Sequence, residues 1–171
     1  GLIGEVVWAS GGFGRNSTQA FDVLAEDFQV QDYCRDGQRN WNGRWVEPND
    51  DDNPATGDVR IGDGRLQVEG SGTGLERAIS LGAYTRGWLS FNWARDDLDR
   101  TLDYVAVEVS GNGGLTWAEV DRFGGDADDL GLQRGDYYDI GEHVSPDTRV
   151  RLRAAAGLGA EDRVLFDNVQ L

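Results

Sequence analysis

The chain has 171 residues, 39% of them hydrophobic, which suits one domain with a real core and excludes global disorder. Acids outnumber bases 31 to 16 for a net charge of −15, and every base is arginine, so the surface repels phosphate backbones and nucleic acid is excluded as a partner. One cysteine, Cys34, expected as a buried inert thiol, and one histidine, His143, allow no intrachain disulfide and too few N and S ligands for zinc.

Residues 2–9 form a short apolar run with β-branched members (Leu2, Ile3, Val6, Val7, Trp8), and a glycine-rich link over residues 10–14 follows it. The run reads as a strand on a tether. The expected division is an N-terminal arm over residues 1–20 and a sandwich domain over 21–171. Asn16-Ser17-Thr18 matches the N-glycosylation sequon at Asn16. The chain starts at Gly1 without a basic-then-apolar leader, as either a processed mature chain or a trimmed one would.

From Phe21 the pattern is strand, turn, strand. Strands are predicted over residues 21–28 and 41–46, and an acidic loop with Asp50, Asp51 and Asp52 separates the second from the next. Residues 58–61 and 65–69 alternate about Gly62-Asp63-Gly64, a strong hairpin signal. Further strands are predicted over 78–81, 87–93, 104–109, 116–120, 137–140, 149–154 and 163–171, with an acidic loop carrying Asp126, Asp128 and Asp129 over 124–135. Glycine, 25 of 171 residues, supplies the turns between them. No stretch sustains a 3.6-residue period, and no apolar run approaches the ~18 residues of a membrane span. The expected architecture is all-β, a two-sheet antiparallel jelly-roll sandwich with an extra N-terminal strand.

Three stretches carry a resemblance: Glu26-Asp27-Phe28 with Trp41 behind it, residues 107–117 with Ser110-Gly111-Asn112-Gly113-Gly114-Leu115-Thr116-Trp117, and Phe166-Asp167-Asn168-Val169. Together they resemble the MAM-like and carbohydrate-binding-module-like jelly rolls of bacterial and archaeal secreted proteins, over residues 21–171. The middle stretch is also similar to an Asp-box, with Asn112 at the aspartate position. In it Ser110 and Asn112 are expected to cap backbone amides and Trp117 to plug the hairpin into the core. The resemblance implies a structural Ca²⁺ between the first and last strands, held by Glu26, Asp27 and Asp167, with the two acidic loops as second candidates.

No nucleophile elbow, zinc-protease helix or phosphate-binding loop is present, so a non-catalytic protein is expected. Trp41, Trp45, Trp88 and Trp93, with Tyr137 and Tyr138, are candidates to stack on sugar faces. Trp88 and Trp93 lie five positions apart on one strand and must face opposite sides. The leading expectation is a secreted or cell-surface module for adhesion or assembly, its arm (Leu2, Ile3, Val6, Val7, Trp8) adding a strand to copies of itself or to neighbouring domains. The alternative is a glycan-binding accessory module of a secreted enzyme or adhesin, with polysaccharide as partner.

Overall fold

Asp63 and Gly64 both have positive φ, 52° and 70°, which is the backbone of a two-residue type I′ turn. The turn joins β3 (Val59–Gly62) to β4 (Arg65–Glu69), with Gly62 paired to Arg65 across it. A computed structural model gives this hairpin and the rest of the fold, and it describes residues 23–34, 41–125 and 130–171. The N-terminal arm, Asn16, and the aspartates 126, 128 and 129 lie outside the described residues.

The remaining strands are β1 (Ala25–Glu26), β2 (Trp41–Val46), β5 (Gly74–Ile79), β6 (Trp88–Asp96), β7 (Tyr104–Ser110), β8 (Ala118–Gly124), β9 (Leu130–Arg134), β10 (Tyr138–Asp139), β11 (Thr148–Ala154) and β12 (Arg163–Gln170). A single 3₁₀ turn, Gly141–His143, is the only helix among the described residues. None there is long and apolar enough to cross a membrane.

All pairings are antiparallel and form two sheets, as the alternation in the sequence predicts. One sheet runs β10-β6-β12-β4-β3, with β9 added to β6 and β1 added to β12. The other runs β2-β5-β11-β7-β8. The chain is thus an all-β jelly-roll sandwich. β11 shows why: its residues alternate strictly between buried and half-buried, with Val150 and Leu152 inward and Arg149, Arg151 and Arg153 outward.

Inward rows from both sheets close the core: Leu66, Val68, Leu89, Phe91, Val164 and Phe166 against Leu75, Ile79, Val105, Val107, Val109 and Leu152. Each such side chain contributes about 1.5–3 kcal/mol when fully buried. At one end an aromatic cluster takes over. Phe91 stacks on Tyr138 (5.4 Å, 8° between planes) and meets Phe123 and Phe166 edge-on, while Trp93 lies 4.5 Å from Phe123.

Three expectations need correction. Trp117 does not plug the core: it lies half-buried on the outer side, with the Arg151 guanidinium 3.9 Å over its ring. Cys34, expected as a buried inert thiol, is exposed. The acidic segment 124–135 is not all loop, since it contains β9.

Candidate functional site

β6 presents two different faces. Leu89, Phe91 and Trp93 point to the core, so Trp88, Ser90 and Asn92 share the outer face of the seven-stranded sheet. Gln170 of β12 is paired with Ser90. Between them β12 carries an irregularity at Asp167/Gln170, with Asn168 at φ 49°. Asparagine is among the few residues that tolerate this region, because its short amide bonds locally. Here Nδ2 of Asn168 donates to Oδ2 of Asp167 at 3.0 Å.

The connection from β9 to β10 overhangs this face and forms a groove of about 460 Å³, lined by Ser90, Asn92, Gln133, Arg134, Tyr137 and Gln170 among others. Two features hold the overhang in place. The Gly135 N–H donates to the Phe91 carbonyl at 2.9 Å, and Arg134 pairs with Asn92 across β6 and β9. Tyr138, next to the groove's Tyr137, is locked inward by Phe91 and by its hydroxyl, which donates to Asp121. Burial and that bond raise the Tyr138 hydroxyl above the usual tyrosine range. The alternation that turns Tyr138 inward turns Tyr137 outward, where it is 63% exposed. Trp88 is 40% exposed on the same outer face, about 7 Å along the strand from Ser90. The groove therefore offers one accessible ring, Tyr137, several amides and one guanidinium, and Trp88 lies beyond it on the same face.

The four tryptophans proposed for stacking separate cleanly. Trp88 is accessible. Trp93 faces the core, as five-residue spacing predicts. Trp45 is fully buried and offers no face to a ligand. Trp41 packs half-buried against it, 5.6 Å between rings, with the Arg77 guanidinium 4.8 Å above. Trp45 and Trp41 belong to the core because β2 lies on the sheet edge beside β5, where two large rings close the sandwich. Amides at alternate outward positions carry no signal that sets them apart from ordinary solvated residues, so the sequence pointed only to Tyr137 in this groove and to Trp88 beside it.

The calcium triad is not assembled as expected. Leu24, Glu26 and Phe28 form one buried row, so Glu26 points inward, and its Oε2 lies 3.2 Å from Arg77 Nη1 with both side chains buried. Asp167 faces the other way. Burial raises its carboxyl above the usual range, and the negative charge of nearby Asp27 adds to that, against hydrogen bonding and Arg65. A carboxylate neutralised by a buried guanidinium cannot join the other two around a cation, so these residues do not fit calcium.

Among the described residues two other carboxylate groups bring ligand atoms within 4.8 Å of one another: Glu47 with Asp50 and Asp51, and Asp99 with Asp103 and Asp162. In the first group the oxygens are already engaged. Glu47 accepts from the Tyr33 hydroxyl and the Asn53 N–H, Asp50 from the Val59 N–H at 2.6 Å, and Asp51 from Thr56 Oγ1 at 2.7 Å. Asp52, expected with them, instead pairs with Arg44.

The outer face of the five-stranded sheet is a lattice of ion pairs. Glu108 accepts from Arg151 Nε (2.8 Å) and from Arg153 Nη2 (3.0 Å), Arg149 pairs with Glu76 at 2.7 Å, and Arg122 pairs with Glu119 at 2.6 Å. Arg122 lies 3.8 Å over Tyr104 as Arg151 does over Trp117, so the rings on this face are capped by guanidinium groups. Burial alone would raise the Glu108 carboxyl, but the two arginine hydrogen bonds outweigh it and hold it below the usual range. A depressed carboxylate stabilises the fold above its unfolded value of about 4.3 and stops doing so as pH falls through the folded value. The stability difference between the protein and Glu108→Gln is accordingly expected to be largest at neutral pH and to close in acid. Urea titrations at pH 7 and pH 3 read it, and a gap that widens in acid refutes the assignment.

The hairpin between β7 and β8 is built as its sequence predicts. Ser110 Oγ accepts from the Gly114 N–H at 2.9 Å, Asn112 Oδ1 accepts from the Thr116 N–H at 3.0 Å, and Gly113 and Gly114 have φ of 72° and 90°. These bonds satisfy the turn internally and leave its role structural.

Solved structures with the same fold are carbohydrate-binding modules of family 29. A point variant of CBM29-2 is 13% identical, with 88% of this chain and 91% of that chain covered and a TM-score of 0.54. A variant complexed with cellulohexaose is 14% identical over 88% and 92% of the two chains, TM-score 0.50. Another, complexed with mannohexaose, is 12% identical over 88% and 92%, TM-score 0.50. At such identities the likeness is one of fold. No protein-family model matches the chain, and no curated protein matches it.

Proposed function

We propose that the protein is a non-catalytic carbohydrate-binding module that holds a neutral polysaccharide in the groove on its seven-stranded sheet. The groove itself carries the reading: an open, fixed channel with Tyr137 as a ring platform, with Ser90, Asn92, Gln133, Arg134 and Gln170 as partners for hydroxyls, and with the exposed ring of Trp88 farther along the same face. A net charge of −15 disfavours acidic glycans. The complexes of family 29 modules with cellulohexaose and mannohexaose support a hexose polymer as the ligand class. Of the two functions expected from sequence, this is the alternative; the assembly reading rests on residues 2–8, outside the described ones. Under this reading the module is expected to act where polysaccharide is, secreted or at the cell surface.

Calorimetric titration with cellulohexaose and mannohexaose tests the proposal. Tyr137→Ala and Trp88→Ala are each expected to weaken binding roughly tenfold or more, the scale of an aromatic hot spot, with little change in Tm because both rings are accessible. Trp117→Ala, on the other sheet, should leave the affinity unchanged. If only Trp117→Ala abolishes binding, the site is on the five-stranded face and the groove is not it.

A further inference from the structure

Two loops meet at one end of the sandwich. The β6–β7 loop ends at Asp103, whose N–H donates to the Arg100 carbonyl at 3.0 Å, and the β11–β12 loop ends at Asp162, whose Oδ2 accepts from the Gly159 N–H at 2.9 Å. The loops are tied together at their bases, since the Ala155 N–H donates to the Tyr104 carbonyl at 2.8 Å. Asp103 is 1% exposed and Asp162 6% exposed, while Asp99 stands at the rim in solvent. The three carboxylates place ligand oxygens within 4.8 Å of one another.

Two buried acids this close repel, and a buried carboxylate oxygen without a donor is costly. Oδ2 of Asp103 has no hydrogen-bond partner among the described residues. The neighbouring bases are directed elsewhere: Arg100 reaches Asp99 at 3.6 Å in solvent, and Arg163 Nε donates to Asp96 at 2.6 Å. A positive charge is therefore missing from a place that the fold has otherwise built with care. All the donors are hard oxygens, with no nitrogen or sulfur among them, which selects calcium over zinc or copper.

We propose that the carboxylates of Asp99, Asp103 and Asp162 hold a calcium ion that clamps the β6–β7 loop to the β11–β12 loop. Calcium accepts 6–8 oxygens in flexible geometry, so water and loop carbonyls complete the shell. The ion neutralises the pair Asp103–Asp162 and satisfies the orphan oxygen. The site is independent of the groove, and its loss leaves the glycan reading standing.

The test uses the full chain stripped with a chelator, then titrated with calcium chloride and followed by calorimetry and by thermal melting. Binding is expected with Kd of about 10⁻⁴–10⁻³ M, the range of extracellular calcium modules, with Tm rising with calcium concentration. Asp99→Asn, at an exposed position that folding does not need, should shift this dependence roughly tenfold to higher calcium, because affinity follows ligand charge. Asp51→Asn, in the other acidic group, should leave it unmoved. No rise in Tm up to about 10 mM calcium, ten times the upper end of that range, overturns the proposal. So does a rise that Asp99→Asn and Asp103→Asn both retain. A third overturning result is a chain indifferent to calcium that Asp103→Asn stabilises in chelator, since the acid pair then shares a proton instead of a metal.

Discussion

Arg77→Ala is expected to destabilise the protein by about 3–5 kcal/mol, the cost of leaving a buried charge without its partner. The Arg77 side chain points into the sandwich from β5, between the inward residues Leu75 and Ile79, and its Nη1 meets Glu26 Oε2 at 3.2 Å with both groups buried. Its Nε also donates to the Gly43 carbonyl at 3.0 Å, and its guanidinium lies 4.8 Å from the Trp41 ring and 5.6 Å from the Trp45 ring. Alanine removes all of these at once and strands the Glu26 carboxylate among Leu24, Phe28 and the two rings. The pair itself need not be a net gain, because desolvating two charges costs about as much as their attraction returns. The double variant Glu26→Leu with Arg77→Met should therefore recover most of the lost stability. Urea denaturation of the two variants separates the effects. A single-variant loss below about 1 kcal/mol shows that water reaches Glu26 and that the pair is not closed.

Much of the fold was legible because its signals are local. Asp63-Gly64 between alternating strands requires a type I′ turn, and the Arg-apolar alternation of residues 149–154 requires one wet and one dry face. The ion pair was half legible. Leu24, Glu26 and Phe28, and likewise Leu75, Arg77 and Ile79, are rows of period two with a charge in the middle, so each charge had to point inward. Only the packing of the sheet that holds β1 against the sheet that holds β5 brings the two rows together. The strand β9 was missed because Leu130-Gly131-Leu132-Gln133-Arg134 has no β-branched residue and sits in an acidic, glycine-rich run; its partner β6 makes it a strand. Trp41 and Trp45 looked like a platform because an aromatic at an alternate position reads the same whether the face is wet or dry. The Asp99, Asp103 and Asp162 group was illegible, since its members lie in two loops separated by five strands.

The groove depends on one position with no side chain. A Cβ on Gly135 would sit 2.3 Å from the Phe91 carbonyl oxygen, and that oxygen is main chain and cannot swing away. The Gly135 N–H also donates to the same carbonyl, so the close approach is what ties the overhang to β6. Gly135→Val is therefore expected to force the segment carrying Arg134 and Tyr137 off the sheet. Crowding of this kind costs about 1–3 kcal/mol when the backbone has to shift. Because β9 and β10 each add only a few pairings at the edge of β6, the displacement should stay local and the rest of the sandwich should remain folded. Binding should suffer far more than stability, with hexose-polymer affinity falling by at least roughly tenfold as the Tyr137 ring and the Arg134 guanidinium leave the groove they line with Ser90 and Asn92. Titration calorimetry beside a thermal melt of the same sample measures both quantities. A Gly135→Val protein that melts a few degrees lower yet binds as tightly as before would detach the overhang from the ligand site, and the outer face of β6 and β12 would then have to bind sugar without it.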